Sequence, residues 1–221
     1  MHWQKTSDET LKELKTGKKG LSQRDAAERF KQYGPNTLPE KKKETALQLF
    51  LNQFRNFLVI ILIIAAVISF LLGEAIDGSA IIAIVILNAL FGFFQERKAE
   101  HALEALKRIA APKTHVVRDG KITEIHTSEA VPGDVVSLEV GDKVPADCRI
   151  IEEINLKIDE SILTGESTAV SKSITAINKE KLAVADRKNM IFSGTTVVYG
   201  RCKAVVVSTG SGTEFGKIAE M

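Results

Sequence analysis

Two long stretches without a charge interrupt an otherwise mixed chain: NFLVIILIIAAVISFLLG at 56–73 and GSAIIAIVILNALFGFF at 78–94. Each matches the shortest length that crosses a hydrocarbon layer of ~30 Å at ~1.5 Å per residue. A buried core helix has the same composition, but two such runs joined only by EAID are hard to bury in a chain of 221 residues. They predict a transmembrane helical hairpin with Glu74 and Asp77 in its outer turn. Lys41, Lys42, Lys43 and Arg55 precede the first run, and Arg97 and Lys98 follow the second. That bias of cations predicts that both ends are cytoplasmic. The first run also starts too far from Met1 for a cleaved leader.

Helical spacing continues beyond the second run. In QERKAEHALEALKRIAAP the apolar residues Ala99, Ala102, Leu103, Leu106 and Ile109 recur every three or four positions, with no breaker before Pro112. A stalk helix follows from that pattern. At Lys113 the pattern changes to that of strands: THVVRDGKITEIH reads as a hairpin turning at Asp119 and Gly120. DVVSLEV, DCRIIEE, MIFSGTTVVYG and CKAVVVSTG add β-branched runs, as an all-β sandwich or distorted barrel requires. Ahead of the apolar runs, Ser7 and Ser22 read as N-caps of two short helices, the second ended by Gly34 and Pro35. Three parts result: a helical part at 1–40, a linker with hairpin and stalk at 41–112, and a β-rich part at 113–221.

Composition mainly excludes. A net charge of +2 leaves no nucleic-acid footprint. Cys148 and Cys202 are too few for a disulfide framework and show no metal-ligand spacing with the four histidines, which fits a reducing compartment and no cofactor held by this chain. Candidate chemistry lies in IDESILTGESTAVSK, residues 158–172. Its glycine between a threonine and a glutamate is either a plain exposed turn or a rigid loop that pushes Glu166 toward a partner outside its own domain. Glu160 is expected to be structural. The PGD at 132–134 and the GDKVPAD at 141–147 read as turns whose aspartates bond nearby amides. Asn88 is expected to bond a neighbouring helix. Arg187 and Lys188 read as a solvated loop, with pairing to another domain as the alternative.

The order of GLSQRDAAERFKQYGPNTLPE, the hairpin, VPGDVVSLEVGDKVPADCRI, IDESILTGES, NMIFSGTTVVYG and TGSGTEFGKIAEM resembles the amino-terminal part of P-type cation-transporting ATPases. The calcium-pump-like type II branch is the nearest in look, and the resemblance covers essentially the whole chain. It implies a mainly-β actuator domain of distorted jelly-roll form with short N-terminal helices, joined to the first two transmembrane helices. It implies that Glu166 activates the water that hydrolyses an aspartyl-phosphate, with Thr164, Gly165 and Ser167 shaping the loop or touching the phosphate. The phosphorylation and nucleotide-binding domains, the remaining transmembrane helices, and Mg and ATP are expected of the complete pump; no DKTG occurs here, so this chain alone is expected neither to hydrolyse ATP nor to transport an ion. Calcium leads as the ion by resemblance, with sodium, proton or another cation as rivals. Arg55 stands after Gln53 and Phe54 where sarcoplasmic-type calcium pumps carry an acid, and Thr168 stands where many relatives have proline. The other readings are a stand-alone membrane protein that regulates a full pump and an inactive remnant.

Overall fold

Both Asp119 and Gly120 adopt positive φ, 50° and 75°, the pair of left-handed residues that a two-residue hairpin loop needs to match strand twist. They join β1 (Lys113–Arg118) to β2 (Lys121–His126), with Arg118 opposite Lys121. The computed structural model describes residues 1–38, 45–109, 112–165 and 168–220, with 104–109 as backbone only. These residues form two compact units, Met1–Pro39 with Ala111–Met221, and Glu40–Ala110.

In the first unit, β3 (Val135–Glu139), β4 (Asp147–Asp159), β5 (Val170–Ser171), β6 (Met190–Ile191) and β7 (Thr196–Ser208) complete an antiparallel sheet in the order β2-β1-β3-β7-β4-β5, with β6 also on β4. The two faces follow from strand alternation. Val116, Val136, Ile150 and Ala204 enter the main core, while Val117, Val135, Ile151 and Val205 pack on the other side against Leu11. Leu11 comes from α1 (Ser7–Glu13), and burying a leucine contributes about 1.5–3 kcal/mol. The cap of α1 is Thr6 rather than Ser7: Thr6 Oγ1 accepts from the Glu9 amide while the Glu9 carboxylate accepts from the Thr6 amide, a reciprocal box that Ser7 has no glutamate to form. Ser22 caps α2 (Gln23–Tyr33), which ends at Gly34 with φ 76°, as the sequence predicts.

TTVVYG and CKAVVVSTG read as two runs, yet they form the single strand β7. Gly200 joins them at φ 77°, where a side chain would press on the Ile154 and Asn155 carbonyls of β4. A glycine inside a strand marks such a close backbone approach. Register shifts along β4 at Ile150/Glu152 and Ile154/Lys157 accompany it and bend the long pair.

The signature turns serve backbone amides. Asp142 accepts from the Glu139 amide at 2.9 Å, and Asp134 from the Val131 amide at 3.0 Å. Asp147 reaches farther, to the amides of Ser193 (3.0 Å) and Glu214 (2.8 Å). Burial outweighs these bonds and pushes its carboxyl up to about 6, against an unfolded value near ~3.9. Between those values the folded chain holds a proton that the unfolded chain lacks, so this group adds stability as pH falls through 6 and adds none above it. The stability of the unsubstituted chain relative to Asp147→Asn should therefore rise by about 2 kcal/mol from about pH 7.5 to about pH 4.5. Denaturant unfolding in detergent, followed by the fluorescence of the buried Trp3, the sole tryptophan, measures it; a constant gap would mean that the folded carboxyl stays ionised.

The second unit holds α3 (Ala46–Gln53), α4 (Phe57–Leu71) and α5 (Ala75–Ile109). Asn56 caps α4 by accepting from the Leu58 amide. The loop between α4 and α5 is shorter than the predicted EAID turn, because α5 begins at Ala75 and Asp77 falls in its first turn, where a carboxylate suits the helix dipole. Val59, Ala66, Val85 and Ala89 are buried where α4 and α5 pack, and Gly78 lies against the Phe70 ring. Ile64, Ile68, Ile86 and Leu87 are exposed on the outside. Asn88, expected to bond a neighbouring helix, is likewise exposed. Within α5, Ala75–Leu103 is long and apolar enough to cross a bilayer; α3 and α4 meet that test only together, bent by 64°. With 15 residues, α4 alone spans ~22 Å. Predicted stalk and second apolar run are one uninterrupted helix of 35 residues, about 50 Å long.

Candidate functional site

Strand β4 runs out at Asp159, whose carboxylate accepts from the Ser161 amide at 3.0 Å and turns the chain. One turn of helix follows, α6 (Ser161–Thr164). Its residues divide by face: Leu163 packs on the cluster of Trp3, Met190 and Phe192, while Ile162 stays 53% exposed. Thr164 Oγ1 donates back to the Glu160 carbonyl at 3.1 Å, and the Thr164 amide donates to the same oxygen at 3.0 Å. Gly165 then closes the helix at φ 75°, its amide bonded to the Ser161 carbonyl. Among the described residues beyond its chain neighbours no atom lies within 4 Å of where a Cβ would stand, so the positive φ of Gly165 is what favours glycine here.

Glu166 and Ser167 lie outside the described residues. Their neighbours Gly165 and Thr168 are both exposed. The chain returns through β5, which pairs with β4 as Ile158 to Val170 and Lys157 to Ser171. Thr164 and Gly165 are thus brought to the tip of a β4–α6–β5 hairpin whose outer surface faces away from the core. Lys41, Lys42 and Lys43, read as a linker, also fall outside the described residues.

Two charges that sequence reasoning did not join meet beneath this loop. Lys172 Nζ lies 2.5 Å from Glu160 Oε1, with side chains 0% and 1% exposed. Burial pushes the Glu160 carboxyl up and the Lys172 ammonium down, and their mutual attraction opposes both shifts. The available signal was an acid directly before SILTGES and a lysine directly after STAVS. Arg187 is not solvated: it stacks 4.1 Å from the Trp3 ring centroid, donates to the Leu182 carbonyl and pairs with Glu214 at 3.2 Å. Lys188 is exposed. Arg149, unremarked in its strand run, is fully buried and donates to the carbonyls of Lys5, Ile174 and Asn189, tying the N-terminal segment to the loop before β6. Among the described residues no cluster of histidine, cysteine and acid could hold a metal.

Comparison with known proteins gives two family models: P-type ATPase actuator domain over residues 108–221, and cation transporter/ATPase N-terminus over residues 2–69. The chain is 47% identical to calcium-transporting ATPase 1 of Bacillus cereus, over 99% of its own length and 25% of the relative. It is 46% identical to a calcium-transporting ATPase of Listeria monocytogenes, over 98% and 24%. It is also 40% identical to sodium/potassium exporting P-type ATPase 1 of Saccharomyces cerevisiae, over 91% and 19%. The chain therefore spans about a quarter or less of the curated relatives it matches.

Proposed function

This chain belongs to the P-type cation-transporting ATPases, carrying their N-terminal region and actuator domain, and from that premise we propose that it couples hydrolysis of an aspartyl-phosphate to movement of two membrane helices in a calcium pump. The observation that carries this is the hairpin tip: Thr164 and Gly165 are held by backbone bonds at the rim of the sheet, and Gly165 and Thr168, the described residues that bracket Glu166 and Ser167, are both exposed. A carboxylate presented there is free to reach a phosphorylated aspartate in another domain of the same pump. Aiming the attacking water and accepting its proton is then the work of Glu166, with Thr164 and Gly165 fixing the approach and Ser167 beside it. Mg and ATP belong to the phosphorylation and nucleotide-binding domains of the complete pump.

α4 and α5 form the membrane hairpin, α3 leading into it, with the termini and the sheet on the cytoplasmic side. The bent pair β4 and β7 is the curved wall of a distorted jelly roll. Because α5 runs unbroken from its apolar stretch to Ile109, a rotation of the sheet reaches the bilayer through one stiff element. A stand-alone regulator is less favoured, since both matched family models are those of the pump itself. Calcium is named by the bacterial relatives, which supports it as the ion; the yeast relative is named for sodium and potassium. In the full-length pump, calcium should raise phosphoenzyme formation from ATP at least about ten-fold over sodium or a calcium-free medium, a difference of ~1.4 kcal/mol or more. Equal formation without calcium would overturn that choice of ion.

A further inference from the structure

Glu160 and Lys172 stand at the two ends of the loop that carries Glu166, and they are the two charges buried beneath it. Among the described residues neither Glu160 oxygen nor Lys172 Nζ has another hydrogen-bond partner; the Phe192 ring, 5.5 Å from Nζ, completes the ammonium's surroundings. An ion pair so isolated gains little over apolar side chains of similar volume, which often give equal or greater stability. Stability is therefore a poor reason for its presence. Geometry is a better one, because opposite charges in a low-dielectric site attract strongly into contact and so fix the separation of the backbones that carry them.

The pair acts on the two backbones from which the loop hangs. The Glu160 carbonyl receives Leu163 N, Thr164 N and Thr164 Oγ1, so moving Glu160 moves all of α6. The Lys172 amide donates to the Leu156 carbonyl and fixes the return strand to β4. We propose that Glu160 and Lys172 are positioning residues: their buried ion pair sets the spacing between the ends of segment 161–171 and so holds Glu166 within reach of the water it activates. This rests on the hydrolytic role of Glu166 proposed above. A misplacement of ~1 Å in such a group costs up to about a hundred-fold in rate.

The test is phosphoenzyme decay, by pulse and chase, in the full-length pump bearing Lys172→Met, Glu160→Gln with Lys172→Met, or Glu166→Gln. The decay constant is read only on molecules that have folded and been phosphorylated, so destabilisation alone leaves it unchanged. Lys172→Met should slow decay at least about ten-fold with near-normal formation. The double variant, which has no unpaired buried charge, should recover the thermal midpoint lost in the single variant yet decay as slowly. Decay within about two-fold of normal in the double variant, beside slow decay in Glu166→Gln, overturns the positioning role alone. Failure of both Lys172 variants to fold also overturns it, making the pair a determinant of the fold. Normal decay in Glu166→Gln overturns the hydrolytic role itself.

Discussion

Glu166→Ala in the full-length pump should leave phosphoenzyme formation intact and slow its decay by about a hundred-fold or more, because a positioned general base contributes ~10²–10⁴. A hundred-fold corresponds to about 2.7 kcal/mol of lost transition-state stabilisation. Hydrolysis of an acyl phosphate needs water in line with the leaving carboxylate, and a glutamate in contact with that water both orients it and takes its proton. In the mechanism proposed above, formation would transfer the γ-phosphate of ATP to an aspartate in another domain, a step that asks nothing of Glu166. The two steps therefore separate cleanly, and the phosphorylated form accumulates. Glu166→Gln keeps the side chain's size and one accepting oxygen for water but cannot take the proton, so its decay should be slow as well, by a smaller factor than in the alanine variant. Decay of the alanine variant at the normal rate would remove Glu166 from the chemistry.

What the sequence made legible was whatever local rules decide. Asp-Gly requires positive φ twice, so the β1–β2 hairpin could be placed to the residue; Ser22 and Gly34 bracket α2 by capping alone. Uncharged runs located α4 and α5, although a charge pattern does not say where a helix starts, and α5 took in the predicted turn. The misses are decisions made by distant partners. Gly200 reads as a boundary until β4 crosses it, and only then is it a kink within one strand. Arg187 looks like a loop cation unless Trp3, far away in the chain, is known to lie against it. Thr6 outcompetes Ser7 as a cap through a glutamate three residues on. In the candidate site, the glycine-led loop is visible in the sequence, but the Glu160–Lys172 contact beneath it is not, because two charges on either side of a loop are ordinarily solvated.

A second buried ion pair among the described residues, Arg118 with Asp134, should behave differently from the one beneath the loop, and Asp134→Ala is the sharper case. Asp134 is fully buried and accepts Arg118 Nε at 3.0 Å, Arg118 Nη2 at 2.8 Å and the Val131 amide at 3.0 Å. This two-pronged geometry satisfies both carboxylate oxygens, and Arg29 braces the same turn by donating to the Pro132 and Leu14 carbonyls. Removing the carboxylate leaves the Arg118 guanidinium, itself buried, with only a long bond of 3.4 Å to the Glu129 carbonyl, and the Val131 amide without its side-chain acceptor. Loss of one member of such a pair costs about 3–5 kcal/mol, a large part of the ~5–15 kcal/mol that holds a domain folded. Asp134→Ala should therefore lower the unfolding free energy of the chain in detergent by that amount, read by the fluorescence of Trp3. In the full-length pump it should reduce the yield of phosphorylatable protein while leaving the decay constant of what remains unchanged. Arg118→Met with Asp134→Leu, which removes both charges together, should recover most of the loss. A stability change in Asp134→Ala below about 1 kcal/mol would show the turn to be hydrated, and the pair to contribute no more than an exposed one.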